Sequence, residues 1–198
     1  MSKLGFRCLK RRSIYTRIYG NLRWNQISVD APACLNGQRR DSVGILETCL
    51  PQLSLHSPVG DLTISEEAGQ IVALDWGWGR DQEPTPVLQR AKAALLDYFD
   101  GKPLPADLPL APNGTPYRQK VWQALREIPP GETRSYLDIA KIAGGSARSV
   151  GGANAHNPIP IFIPCHRVVA TTGLGGYSGG DGLETKQMLL ELERNGVI

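Results

Sequence analysis

The sequence is poor in the residues that build metal clusters and disulfide scaffolds. Its four cysteines, Cys8, Cys34, Cys49 and Cys165, are scattered over 198 residues, and it has three histidines. No Cys-x-x-Cys pair and no histidine pair at ligand spacing occurs, so neither a zinc framework nor a disulfide scaffold is suggested, and a reducing cytoplasm is the default setting. No apolar run approaches the roughly 20 residues that a membrane-spanning helix needs. A strong overall charge is missing too: the formal net charge is +3. That value hides an asymmetry. Residues 1–50 sum to +6, 51–114 to −5, 115–169 to +4 and 170–198 to −2. Outside the N-terminal segment, 115–169 is therefore the stretch suited to a polyanion such as nucleic acid.

Periodicity is also lacking in the first fifty residues, and 1–29 hold seven Lys/Arg and no acid. Such a segment reads as a flexible basic arm, a targeting-like stretch, or an upstream start that translates sequence outside the protein proper. The last is favoured. Met188 is the only other methionine, so a later start needs a non-AUG codon, Val43 being one candidate. The expected organisation is a basic extension over 1–50, an α/β domain over 51–102, a linker over 103–114 and a second domain over 115–198.

From His56 onward the pattern is regular. Leu62 and Ile64 alternate after the turn at Pro58 to Gly60, and an apolar run from Ile71 follows Gly69, which reads as an antiparallel hairpin. Leu88, Ala91, Leu95 and Phe99 form a helical stripe stopped by Gly101 and Pro103. Four prolines then mark 103–114 as a linker. Thr115 and Pro116 place an N-cap and a first-turn proline ahead of a helix carrying Val121, Leu125 and Ile128. Ser135 caps a short helix from Tyr136 to Ala143, and Ser146 caps another from Ala147, with Gly144 and Gly145 between: the outline of a helix-turn-helix. That second helix reads ARSVGGA. Its paired glycines cost roughly 1 kcal/mol each in helix propensity, so something must approach it closely, either a neighbouring helix or a DNA backbone with Arg148 as the one long side chain. At the C-terminus, Asp181 to Glu184 reads as a capping box, opening a helix closed by Asn195 and Gly196. Glu193 then falls in the last turn, where the helix dipole does not favour an acid, so it is either solvated or held by a partner.

The stretch 157–169, NPIPIFIPCHRVV, carries the chemistry. A lone buried cysteine is commonly just a small apolar residue. Here, however, Pro158, Pro160 and Pro164 fix the backbone ahead of it, which rules out an ordinary central strand and suggests a rigid wall presenting Cys165. His166 and Arg167 follow at once, and both are expected to favour a thiolate. In extended chain the two neighbours would point to opposite faces, so direct contact needs a turn, or a water between them. The loop 171–180, TTGLGGYSGG, is either a flexible connection or a cover over a flat ligand; it matches no phosphate-binding motif.

Taken together, Ser135-Tyr136, RSVGG at 148–152, NPIP at 157–160, IPCHRV at 163–168, YSGG at 177–180 and a leucine-rich helix ending at Glu193 resemble the O6-alkylguanine-DNA alkyltransferases, also called methylated-DNA–protein-cysteine methyltransferases. The resemblance covers about 56–194 and is strong from 115. It implies an α+β fold: a small N-terminal antiparallel sheet domain of ribonuclease-H-like form, then a helical, winged-helix-like domain with a helix-turn-helix. It also implies an S-methyltransferase that moves an alkyl group from O6 of a flipped-out guanine, or O4 of thymine, in double-stranded DNA to its own cysteine, once per molecule.

By that resemblance Cys165 is the acceptor, His166 takes its proton through a water, Glu193 orients His166, and Tyr136 helps rotate the nucleotide and protonates the leaving guanine. Asn157 braces the turn, Ser178 bonds O6, the carbonyls of Cys165 and Val168 read the guanine amino group, and Tyr177 and Pro160 line the base site. Arg148 fills the gap in the duplex, with Ser135, Ala147, Ser149, Gly151 and Gly152 against the DNA. No cofactor, metal or membrane is implied, and the protein is expected to act as a cytoplasmic monomer. Two rivals remain. A non-catalytic lesion-binding relative would replace the cysteine, which this chain keeps; a cysteine hydrolase would leave Tyr136 and Arg148 unexplained.

Overall fold

The fold was taken from a computed structural model, which describes residues 50–80 and 82–196 together with the backbone of two short strands, β1 (Gln38–Arg40) and β2 (Leu46–Thr48). Those strands pair antiparallel. The expectations for the N-terminal extension otherwise fall outside the described residues. Residues 33–198 form one unit.

Three antiparallel strands make the main sheet, in the order β3 (Gln52–Leu55), β4 (Leu62–Glu67), β5 (Gln70–Trp76). The expected hairpin is β4–β5. It closes at Ala68 and Gly69, with φ of 50° and 77°, the positive-φ pair that matches the twist of two antiparallel strands. β3 was not anticipated, because four residues are too few to show a period. Helix α1 (Pro86–Phe99), capped by Thr85, packs on this sheet through Leu88, Ala91, Ala94, Leu95 and Tyr98. The apolar stripe thus runs on to Tyr98, 1 % exposed, rather than Phe99. The proline-rich stretch after α1 lies against the sheet edge: Ile71 N–H donates to Pro109 and Ala111 N–H to the Ile71 carbonyl, both at 2.8 Å.

Helix α2 (Pro116–Arg126) is capped by Thr115 and buries Val121, Trp122, Ala124 and Leu125. Helix α3 (Tyr136–Ala143) opens on Ser135, whose hydroxyl and Asp138 form a reciprocal capping box. Gly144 and Gly145, at φ 84° and 88°, turn the chain into α4 (Ala147–Ala155), capped by Ser146 with Ser149. These boundaries follow the local cap signals. The next segment is no strand. Residues 158–165 are all buried, and Ile161 at φ 72° turns the chain sharply, a conformation that costs a β-branched residue about 1–3 kcal/mol. A single 3-10 turn (Cys165–Arg167) leads into β7 (Val168–Val169), which pairs parallel with β6 (Arg134–Ser135).

The last helix, α5 (Leu183–Asn195), corrects one expectation. Its N-cap is Gly182 at φ 73°, with no side-chain cap, and Asp181 instead donates its N–H to Thr185 Oγ1 at 3.0 Å. With entry through a positive-φ residue the helix starts one position later than a cap at Asp181 requires. The two halves share one core, tied by a bond from Leu74 N–H on β5 to the Pro158 carbonyl at 2.9 Å.

Candidate active site

The 3-10 turn sets Cys165 and His166 on one buried shelf. Cys165 is a free thiol, 7 % exposed, and His166 is fully buried. No direct hydrogen bond joins their side chains. His166 Nε2 lies 2.8 Å from Glu193 Oε1. Burial disfavours charge on Glu193, but hydrogen bonds from His166 and Arg167 outweigh it and hold the carboxyl well below the usual carboxylate range. An ionised carboxylate only accepts, so Nε2 carries the proton. Burial also pushes the His166 pKa down, against the pull of Glu193. The ring is therefore neutral near pH 7 and its Nδ1 is a free lone pair. That atom is buried and has no hydrogen-bond partner among the described residues.

Glu193 is held far more tightly than a last-turn acid needs to be. Oε1 accepts from Tyr98 Oη at 2.7 Å and from an Arg167 terminal nitrogen at 2.9 Å, while Oε2 accepts from Arg167 Nε at 2.9 Å and Gly131 N–H at 3.1 Å. Arg167 Nη1 donates to the Ile128 carbonyl. This changes the expected role of the two basic neighbours of the cysteine. Arg167 neutralises Glu193 in the core, and His166 is uncharged, so neither supplies a cation to the sulfur. Burial pushes the Cys165 thiol up; the Asn157 amide, the Lys186 ammonium and the backbone N–H groups of Cys165 and His166 oppose this without offsetting it. The resting form is the thiol, and the proton has to be removed when the sulfur reacts.

The glycine-rich loop crosses this shelf. Tyr136, at the start of α3, donates to the Gly176 carbonyl at 3.2 Å. A Cβ on Gly175, where φ is 69°, would fall 2.8 Å from the Tyr136 ring, so only glycine lets the loop meet the tyrosine so closely. Burial first, and then the nearby Cys165 sulfur, raise the Tyr136 pKa, keeping its proton. Tyr177 stands edge-on to Trp76 of β5, its hydroxyl buried and without a partner among the described residues. The buried Lys186 on α5 donates to the carbonyls of Val168, Leu174 and Gly176, pinning both ends of the loop's first half. Asn157 Nδ2 donates to the Ile163 carbonyl at 2.8 Å and its Oδ1 accepts from Ile159 N–H at 3.1 Å, bracing the turn before the cysteine.

Residues 31–112 match the family described as 6-O-methylguanine DNA methyltransferase, ribonuclease-like domain, and 116–195 match its DNA binding domain. The chain belongs to the 6-O-methylguanine DNA methyltransferase family. Among similar proteins, the constitutive methylated-DNA–protein-cysteine methyltransferase of Bacillus subtilis is 45% identical over 152 residues, covering 70% of this chain and 92% of that protein. The Mycolicibacterium paratuberculosis methyltransferase is 52% identical over 154 residues, covering 71% and 90%. A solved structure of Mycobacterium tuberculosis OGT in complex with DNA aligns at a TM-score of 0.66 with 40% identity, covering 74% of this chain and 94% of that one. The family match reaches back to residue 31, further toward the N-terminus than the motifs alone indicated.

In this methyltransferase-family chain the helix-turn-helix lies beside the shelf. Arg148 is exposed on α4 and makes no ion pair among the described residues, whereas Arg134 and Lys141 are paired with Glu132 and Asp138. Gly151 faces Tyr136, and a Cβ there would sit 3.9 Å from its ring. Ala147 and Gly152 are exposed. The hydroxyls of Ser135 and Ser149 are engaged in helix caps, Ser149 also bonding Tyr117 Oη at 2.7 Å. Pro160 and Val168 are buried, and Ser178 is exposed on the loop. Sequence reasoning missed Tyr98, Trp76 and Lys186, and misread Arg167. Only Lys186 left a trace, as a lysine on the apolar side of an amphipathic helix.

Proposed function

We propose that this chain repairs alkylated double-stranded DNA by moving the alkyl group from O6 of guanine, and from O4 of thymine, onto the sulfur of Cys165, once per molecule. The observation that carries the reading is the buried thiol beside a neutral histidine, whose free Nδ1 is aimed by Glu193, under a tyrosine that keeps its proton. In a chain of this family, next to a helix-turn-helix, that arrangement fits alkyl transfer.

The target base has to leave the stack for its O6 to reach a buried sulfur. Arg148, exposed and without an ion pair among the described residues, on a helix of mostly small residues, suits the gap left behind and acts as a monomer's single insertion. Once the base is seated, the thiol proton passes through a bridging water to His166 Nδ1, and Glu193 stabilises the imidazolium that forms. The sulfur attacks the alkyl carbon. The S–C bond forms as the C–O6 bond breaks, the electron pair moves onto the guanine, and Tyr136 delivers a proton to it. The thiol proton held on His166 replaces the one Tyr136 gave up, so the products are guanine and an S-alkylcysteine and atoms and charge balance with no cofactor. Ser178 and Tyr177 face the base edge from the loop, the carbonyls of Cys165 and Val168 receive its amino group, and Pro160 forms the floor. A thioether has no easy hydrolytic exit, which makes the reaction terminal.

The test is a single-turnover assay with a duplex containing one O6-methylguanine. Wild type restores guanine in proportion to protein added; Cys165→Ala restores none but still binds the duplex. Restoration by Cys165→Ala, or turnover beyond one per protein, overturns the proposal.

A further inference from the structure

Five buried side-chain nitrogen and oxygen atoms have no hydrogen-bond partner among the described residues, and one of them is Glu66 Oε2 on β4. His166 Nδ1 and the Tyr177 hydroxyl are accounted for above. The other two are the Oδ1 and Nδ2 of Asn154, a residue the motifs did not single out. Leaving both halves of a buried amide unsatisfied costs about 1–3 kcal/mol for each group, and an apolar residue would fit a helix equally well. The amide therefore calls for a partner that the folded chain does not supply.

Its position on α4 says where that partner comes from. Gly151, three residues earlier and on the same helix face, looks at the Tyr136 ring. Asn157, three residues later, reaches the Ile163 carbonyl and the Cys165 sulfur. Asn154 lies between them in sequence, on the helix face of Gly151. Helical side chains lean toward the N-terminus of their helix, over the residues three and four positions earlier; for Asn154 these are Gly151, which has no side chain, and Val150, which is fully buried. On the Gly151 side, therefore, α4 itself puts no side chain between the Asn154 amide and Tyr136.

We propose that Asn154 is a specificity-determining residue: its amide pairs with the amino group and adjacent ring nitrogen of the extruded O6-alkylguanine, and so favours guanine lesions over O4-alkylthymine. This rests on the alkyl-transfer reading above. O6-alkylguanine offers an N–H donor beside a ring-nitrogen acceptor, which one amide satisfies with both its atoms. O4-alkylthymine has lost its ring N–H and presents acceptors only, leaving Oδ1 buried and unpaired. Each of the two carbonyls expected to read the amino group already accepts one bond, Cys165 from Val168 N–H and Val168 from Lys186, whereas Oδ1 accepts none among the described residues.

The experiment measures single-turnover rates of the full chain on duplexes carrying O6-methylguanine, O6-methylhypoxanthine, which lacks the amino group, or O4-methylthymine, for wild type, Asn154→Leu and Asn154→Ala. Wild type is expected to react about tenfold faster with O6-methylguanine than with O6-methylhypoxanthine. In both variants that ratio falls to within about twofold, and the preference for guanine over thymine narrows with it. A variant that keeps the wild-type ratio assigns the amino group to the carbonyls alone and overturns the inference. So does wild type that fails to distinguish the two purines, a result that needs no variant to fold. If wild type takes no methyl group from any duplex, the alkyl-transfer reading falls and the inference with it.

Discussion

Replacing Glu193 by glutamine exchanges one acceptor oxygen for an NH2 group without changing shape. The carboxylate receives Tyr98, His166, Arg167 and Gly131, and its side chain is fully buried. Placed at Oε2, the new NH2 faces the N–H groups of Gly131 and Arg167; placed at Oε1, it faces Tyr98, His166 and Arg167. Either way at least two buried donors lose their acceptor, and the Arg167 charge loses its counterion. Breaking a buried pair from one side costs about 3–5 kcal/mol. For a chain of this size that is a fall in Tm of about 6–20 °C, read by calorimetry with urea unfolding as a check. The pH dependence is a second handle. The folded carboxyl titrates below its ordinary value of 4.5, so its stabilisation is full above that pH and is lost as the pH falls further, and the gap between wild type and variant narrows in acid. A loss under about 1 kcal/mol at pH 7, or a gap that is constant with pH, would refute this account of the cluster.

Arg148→Ala should slow repair in duplex DNA by at least about tenfold while leaving reaction with free O6-benzylguanine nearly intact; equal losses on both substrates would remove the insertion role. Lys186→Met should release the carbonyls of Val168, Leu174 and Gly176 and slow transfer with no loss of duplex affinity, measured by single-turnover rates beside binding titrations. Burial raises Asp75 to about 6, so its ionised form is disfavoured in the fold. Asp75→Asn should therefore stabilise the protein at pH 7 by roughly 1–3 kcal/mol, a gain that vanishes below the ordinary value of 3.8; no difference in urea midpoint at pH 7 would contradict that. Gly175→Ala puts a methyl group into the Tyr136 ring and should lower both stability and transfer rate.

Local signals in the sequence carried well into the structure. Thr115, Ser135 and Ser146 cap the helices they were expected to cap, because an N-cap is a contact within four residues of chain. The β4–β5 hairpin likewise follows from one turn and one alternation. What stayed hidden are contacts between elements. Tyr98 and Glu193 are 95 residues apart, and no periodicity within α1 marks the hydroxyl that reaches α5. Arg167 looked like a cation for the sulfur because the two are close in sequence; a single 3-10 turn sends it instead to Glu193. The Asp181 capping box failed because the chain enters α5 through a left-handed glycine, which a pattern of residue types does not reveal. The roles proposed for the cysteine, histidine and tyrosine come from the order of motifs along the chain, not from periodicity or charge.

The most direct measurement is the intact mass of the protein after exposure to excess duplex containing one O6-methylguanine, followed by peptide mapping. The account predicts a gain of one methyl group per molecule, located on Cys165, with no further gain on longer incubation. An unchanged mass with the duplex bound, or a methyl group on any other residue, would contradict it.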